Sequence, residues 1–294
     1  MQLGGVFPPI TTPFTHGDID LAAIRRNARR WMTTGLAGLV VLGTNGESAY
    51  VDDAEAEALV AAVRDEVPSG RLLVAGTGRD STRATIEATR KAAGAGADAA
   101  LVRPPAFFKS QMTAEAFVRH FTAVADASPV PVLLYNFPAA FGVEIAAPVI
   151  ERLASHPNIA GVKESGGDVA KIADNVARAP AGFAVFCGAA PVFYPALAVG
   201  AAGGILALAC VVPGLCVELY ELARAGRHDD ARELQRRLTP LARAVTTTYG
   251  VPGLKAALDL AGYAGGDPRA PLAPAPPDAV AAIRQELEAL NPEP

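Results

Sequence analysis

Apolar residues fall along this chain in short runs of strand length, each closed by glycine, proline or a polar residue: "GVFPPIT", "GLVVLGT", "RLLVAGTG", "AALVRPP", "PVLLYN", "IAGVKES", "FAVFCGA" and "GGILALA". Their downstream ends lie near Ile10, Leu42, Ala75, Val102, Leu134, Val162, Phe186 and Leu208. That spacing, roughly 20 to 35 residues, suits one strand–helix unit each. The intervening segments carry helical periodicity and start signals, among them "DLAAIRRNARRWMTTG" and "DDAEAEALVAAVRDEV". Ser81, Thr113 and Asp168 are placed to accept the orphan N–H groups of a first helical turn. Pro213 sits where a first turn tolerates proline.

Eight apolar strands alternating with helices, with no strand–strand hairpin between them, predict an α/β fold of the (β/α)8 barrel type. A doubly wound sheet is the competing architecture, but no GxGxxG follows the first strand to favour a dinucleotide fold. After about residue 226 the strand runs stop. "HDDARELQRRLTPLARAVTTTYG", "VPGLKAALDLAGYAG" and "PPDAVAAIRQELEALN" are all helical in pattern, and "DPRAPLAPAPP" reads as a connector because proline restricts it to extended or turn conformations. The expected organisation is a barrel over 1–225 and a C-terminal helical extension over 226–294.

Composition narrows the function classes. With 294 residues, 51% hydrophobic and 19% charged, the chain supports a large core, and its net charge of −4 without a run of five like charges offers no nucleic-acid or membrane-surface footprint. No apolar run is long enough to span a bilayer, "GGILALACVVPG" being broken by Pro213. The N-terminal stretch lacks a basic region followed by an apolar one, so a cytoplasmic protein is expected. Cys187, Cys210 and Cys216 have no CxxC spacing and read as buried reduced thiols. The four histidines are scattered, so neither a metal site nor a cofactor is expected.

In such a barrel the chemistry lies where the strands end at their C-terminal side. The sixth run delivers Lys163 there, followed by "ESGG". A lysine beyond a strand is ordinarily solvated. At a barrel mouth, however, loss of water favours the free amine, which attacks a carbonyl to give a Schiff base, an electron sink for carbon–carbon bond making or breaking. Tyr135 ends the preceding strand and is Lys163's spatial neighbour in this fold, which makes it either a core tyrosine or a proton carrier. "GTNGES" is a turn by composition, and at the mouth Thr44, Asn45 and adjacent N–H groups suit a carboxylate, as a 2-oxo acid substrate requires. "GTGRD" lacks the GK[ST] ending of a phosphate loop and reads as a turn and helix start.

"GTNGES", "YNFP", "HPNIAGVKESGGD" and "YGVPGLKAAL", in this order, resemble the dihydrodipicolinate synthase and N-acetylneuraminate lyase superfamily, class I aldolases acting on pyruvate or another 2-oxo acid. The resemblance runs from about residue 4 to about residue 290. It implies Lys163 as the Schiff-base lysine, Tyr135 as the acid/base tyrosine and Thr44 as the hydroxyl that passes protons and helps hold the carboxylate. Gly188 and Ile205 match positions whose backbone lines the pyruvate pocket, and a homotetramer with one contact after the fourth strand is implied. The chain departs from the synthases at Ala140, where they carry a carboxylate-binding arginine, at Asn45, where they carry threonine, and at Phe107 or Phe108, where a relay tyrosine stands. The pattern is closest to 4-hydroxy-2-oxoglutarate aldolase, which maps Asn45 and Ser165 onto the active site. The expected function is therefore reversible cleavage of a 4-hydroxy-2-oxo acid. Synthesis of 4-hydroxy-tetrahydrodipicolinate from pyruvate and aspartate semialdehyde, or a weakened 2-oxo acid binding protein, are the alternatives, and a phosphate-binding isomerase would need a glycine-rich loop that "CGAAP" does not offer.

Overall fold

The computed structural model describes residues 3–290. Eight parallel strands form one sheet, β1 (Gly5–Phe7), β2 (Gly38–Val41), β3 (Leu72–Gly76), β4 (Ala99–Val102), β5 (Val132–Asn136), β6 (Ile159–Glu164), β7 (Ala184–Cys187) and β8 (Gly203–Ile205), in which β2 to β8 each pair with the next and β8 returns to pair with β1. The sheet closes between β1 and β2, where the Ile10 N–H donates to the Val40 carbonyl at 2.9 Å and the Val40 N–H to that of Pro8 at 3.0 Å. The (β/α)8 barrel expected from the apolar runs is thus the observed fold.

The helices follow the strands: α1 (Leu21–Met32), α2 (Asp53–Arg64), α3 (Thr82–Gly94), α4 (Ala114–Ala127), α5 (Ala147–Ala154), α6 (Val169–Arg178), α7 (Phe193–Ala198) and α8 (Pro213–Arg224). Ser81, Thr113 and Asp168 cap α3, α4 and α6 as their positions predict. Asp52 and Glu55 form a reciprocal capping box at α2.

Three details differ from the sequence reading. A short antiparallel ribbon, Phe14–Thr15 with Asp18–Ile19, does stand between β1 and α1, turning at His16 and Gly17 in left-handed backbone. Strand β1 stops at Phe7 rather than near Ile10, because Pro8 and Pro9 have no N–H for a ladder. Strand β8 stops at Ile205, and the apolar residues Leu208–Val211 wind into a helical turn instead.

Side-chain alternation divides the core into two layers. Phe7, Val40, Val74, Leu101, Leu133, Tyr135, Phe186 and Ile205 fill the barrel interior, while Val41, Val102, Leu134, Val162 and Val185 face the helices. Beyond residue 226 come α9 (His228–Arg243), a π-helical segment (Ala244–Thr248), α10 (Gly250–Leu260) and α11 (Pro277–Leu290). Their buried residues Leu241, Leu258 and Ile283 belong to the outer apolar cluster of the barrel. Trp31 of α1 ties the two parts together, stacked on Tyr263 at 5.2 Å and donating to the Cys210 carbonyl at 2.9 Å.

Candidate active site

Strands β5 and β6 place Tyr135 opposite Lys163 and Asn136 opposite Glu164. Alternation then sends the first pair into the barrel and the second towards the helices. Lys163 is 4% exposed, and its Nζ lies 4.2 Å from the centroid of the Tyr135 ring. The Tyr135 hydroxyl is 3.1 Å from Thr44 Oγ1, on the turn after β2, so a lysine, a phenol and an aliphatic hydroxyl from three strand ends form one contiguous group.

The outward pair holds that geometry. Glu164 is fully buried, its Oε2 accepting from Asn136 Nδ2 at 2.7 Å and its Oε1 from the Gly166 N–H at 3.0 Å, with Lys171 Nζ of α6 at 3.5 Å. Asn136 also accepts from the Ile145 N–H at 3.0 Å. A carboxylate with an ion partner and two hydrogen bonds is tolerable in the core, and this one fixes the end of β6 against β5 immediately behind Lys163.

The remaining sequence-predicted residues are placed as follows. The Ser165 N–H donates to the Asn136 carbonyl at 2.9 Å, and its Oγ is buried without a hydrogen-bond partner among the described residues. Gly188 packs against it so tightly that a Cβ there would lie 1.9 Å from Ser165 Oγ, and its N–H donates to the Glu164 carbonyl at 2.7 Å. Ile205 lies in the barrel interior with Phe7 and Tyr135. Asn45 turns back towards β1, its Nδ2 3.4 Å from the Pro9 carbonyl, and so is not brought to Lys163 by any contact of its own.

A cleft of ≈ 610 Å³ opens at Thr44 and Tyr135, with Leu101, Ala140 and Phe141 on its wall. Lys163, Asn45, Ser165, Gly188 and Ile205 do not line it, Lys163 lying behind the Tyr135 ring. Several of the cleft's residues escaped the sequence reading. Arg103 and Lys109 line it, as does Asp80, whose carboxylate pairs with Arg103 at 2.8 Å and accepts the Ala106 and Phe107 N–H groups. These contacts, the Arg103 hydrogen bond foremost, hold the Asp80 carboxyl down at about 2. Val251 of α10 and Leu272 of the connector before α11 bring the C-terminal region to the same cleft.

Glu47, in left-handed backbone three residues beyond Thr44, reaches Lys255 Nζ of α10 at 2.6 Å, with both side chains at most 2% exposed. Charged residues inside the otherwise apolar "GLKAAL" and the turn-like "GTNGES" were the available signal for that pair. Phe107, 79% exposed, lines the cleft at its rim, Phe108, 68% exposed, does not, and neither offers it a hydroxyl. Burial pushes the neighbouring Cys187 thiol up to about 12, so it stays protonated and is no rival nucleophile. Among the described residues no cluster of three His, Cys, Asp or Glu side chains is arranged to hold a metal ion, and no helix is long and apolar enough to cross a membrane.

A closed parallel barrel with a buried lysine, a tyrosine and a threonine grouped at the C-terminal ends of its strands has the layout of an enzyme of the aldolase and lyase class. The chain belongs to the dihydrodipicolinate synthetase family, whose profile it matches over residues 2–290. It is 39% identical over 290 residues to a 4-hydroxy-tetrahydrodipicolinate synthase of Exiguobacterium sp., covering 98% of both chains. It is 37% identical over 287 residues to a probable mitochondrial 4-hydroxy-2-oxoglutarate aldolase of Emericella nidulans, covering 96% of this chain and 93% of that one. Its fold superposes on the crystal structure of a dihydrodipicolinate synthase from Thermotoga maritima with a TM-score of 0.94, at 30% identity and 98% coverage of each chain. The chain is accordingly an enzyme of the family's aldolase, lyase and synthase chemistry.

Proposed function

We propose that this enzyme is a class I aldolase that binds a 2-oxo acid, pyruvate in the simplest case, as a Schiff base on Lys163 and reversibly cleaves a 4-hydroxy-2-oxo acid such as 4-hydroxy-2-oxoglutarate. The observation that carries the reading is the registered Tyr135–Lys163 pair with the Thr44 hydroxyl on the phenol. The amine of Lys163 adds to the 2-oxo carbon, and loss of water gives a protonated imine. Tyr135, with Thr44 as the next carrier, takes the proton of the C4 hydroxyl. The C3–C4 bond then breaks, its electron pair moves into the imine as an enamine, and an aldehyde or oxo acid leaves. Protonation at C3 and hydrolysis return pyruvate and the free lysine. Ser165, with its unpartnered buried Oγ, and the backbone at Gly188 and Ile205 are the groups we assign to the 2-oxo acid end, with Asn45 as a more distant support of the Thr44 turn.

The second reading, condensation of pyruvate with aspartate semialdehyde, is favoured by the name of the Exiguobacterium relative. Ala140 marks a departure from that reading at one position, where the resemblance would place a guanidinium on the second substrate's carboxylate. The exposed Phe107–Phe108 pair, in edge contact at 5.0 Å, supports burial of this loop in a homotetramer. A substrate panel tests the assignment: pyruvate release from 4-hydroxy-2-oxoglutarate should exceed pyruvate consumption with aspartate semialdehyde in kcat/KM. The reverse order would move the chain to the synthases, and activity with neither would refute both.

A further inference from the structure

We propose that Arg103 is a specificity-determining residue of this site, holding a carboxylate on the half of the substrate that leaves as the aldehyde or oxo acid; this rests on the Schiff-base reading above. The placement follows from strand geometry. Leu101 of β4 pairs in register with Leu133 of β5, and both face the barrel interior. Two residues further on stand Tyr135, still within β5, and Arg103, the first residue beyond the end of β4, one layer nearer the mouth. Both line the cleft, and the Arg103 guanidinium carbon lies 6.0 Å from the centroid of the Phe141 ring, beside Ala140. A cation thus comes from just beyond the strand adjacent to Tyr135, at the wall where residue 140 supplies none.

The site is built around this side chain. Gly78 lies under it, and a Cβ at that position would sit 2.5 Å from Arg103 Cγ and 2.6 Å from its backbone nitrogen, so the arginine occupies space that only glycine leaves free. Asp80 takes Nη2 at 2.8 Å, and Nη1 donates to the Pro104 carbonyl at 3.0 Å, which fixes the plane of the guanidinium. Among the described residues the Nε–H and the second Nη2–H then have no acceptor, and a planar fork with donors left over is suited to a carboxylate.

The charge of the wall points the same way. Its acids are Glu47, neutralised by Lys255, and Asp80, neutralised by Arg103. Lys109 adds a further positive charge, its ammonium lying against Gly142, where a Cβ would meet Nζ at 2.8 Å. The distal end of the cleft is therefore net positive, and a second carboxylate on the substrate is the group it selects.

Wild type and Arg103→Gln are compared on 4-hydroxy-2-oxoglutarate and on 4-hydroxy-2-oxopentanoate, which carries a methyl group in place of the distal carboxylate. The wild type should favour the dicarboxylate in kcat/KM. The substitution should lower that value about 10- to 100-fold, as loss of a hydrogen bond to a charged group does, while altering the methyl substrate less than about threefold. Arg103→Lys, which keeps the charge but not the fork, should fall between the two. Borohydride trapping of pyruvate on Lys163 reports folding and the Schiff base independently, and should be equal in wild type and all variants. Equal loss on both substrates, no loss on either, wild-type preference for the methyl substrate, or turnover of neither overturns the role of Arg103 while trapping persists. Absence of trapping in the wild type instead overturns the Schiff-base reading on which it rests.

Discussion

Replacing Lys255 by methionine probes how the C-terminal helices support the site. Lys255 Nζ donates to the Thr12 carbonyl at 2.8 Å and the Asp267 carbonyl at 2.6 Å, and it pairs with Glu47 Oε1 at 2.6 Å. It thereby ties the segment after β1, the turn bearing Thr44 and the connector before α11 to one atom. Burial pushes the ammonium below the usual lysine range, and the Glu47 carboxylate opposes that. Methionine is close in volume and leaves little cavity, so the cost comes from polar groups. Glu47 would keep the Arg269 N–H, at 2.8 Å from Oε2, and lose the one cation paired with it among the described residues. Removing one partner of a buried ion pair costs about 3–5 kcal/mol. For a chain of this size that corresponds to a fall in Tm of about 5–8 °C. Urea denaturation at one fixed protein concentration should show a lower midpoint with an unchanged slope. Adding Glu47→Gln should recover at least about 1 kcal/mol, because no unpaired charge is then buried. A loss below about 1 kcal/mol, or strict additivity of the two substitutions, would refute the idea that the pair is electrostatically coupled.

Two further outcomes follow from individual side chains. Tyr135→Phe retains the ring against Lys163 and removes the hydroxyl that meets Thr44, so kcat should fall about 10²- to 10⁴-fold while pyruvate trapping persists; an equal loss of trapping would make the hydroxyl's role structural. His120 lies on α4 with Nδ1 2.9 Å from Thr82 Oγ1 and a buried, unpartnered Nε2, and burial, aided by Arg103, holds its pKa at about 4 against an ordinary 6.5. The unfolded state therefore binds the extra proton between those values, and about 3 kcal/mol of stability present above pH 6.5 is lost as pH falls towards 4. Urea midpoints of wild type and His120→Phe across that range check this: the variant's curve should be flatter by that amount, and parallel curves would contradict it.

The barrel was legible because each parallel strand is buried on both faces and so reads as an unbroken apolar run. The errors fall where that signal is ambiguous. "GVFPPIT" continues apolar past Phe7 although its prolines cannot pair, and "ILALACVV" is apolar whether extended or wound, so the turn at Leu208 left no mark in hydrophobicity. The Phe14–Ile19 ribbon is too short to carry alternation. At the site, Lys163 and Tyr135 could be read because strand order alone makes them neighbours. Lys255 reaches Glu47 across more than two hundred residues, and Arg103 acquires meaning only with the register of β4 on β5 and the space left by Gly78. The first relation shows locally only as lone charges in an apolar stretch and a turn, with nothing to say that they meet, and the second has no local signature. Asn45 was read as a site residue from its turn, yet its amide points to Pro9.

The central claim is the nucleophile. The most direct measurement is sodium borohydride reduction of the protein in the presence of pyruvate, followed by peptide mass spectrometry. The account predicts a stable adduct on the peptide carrying Lys163, abolished in Lys163→Met. An adduct on another lysine, or none at all in a folded wild-type protein, would contradict it.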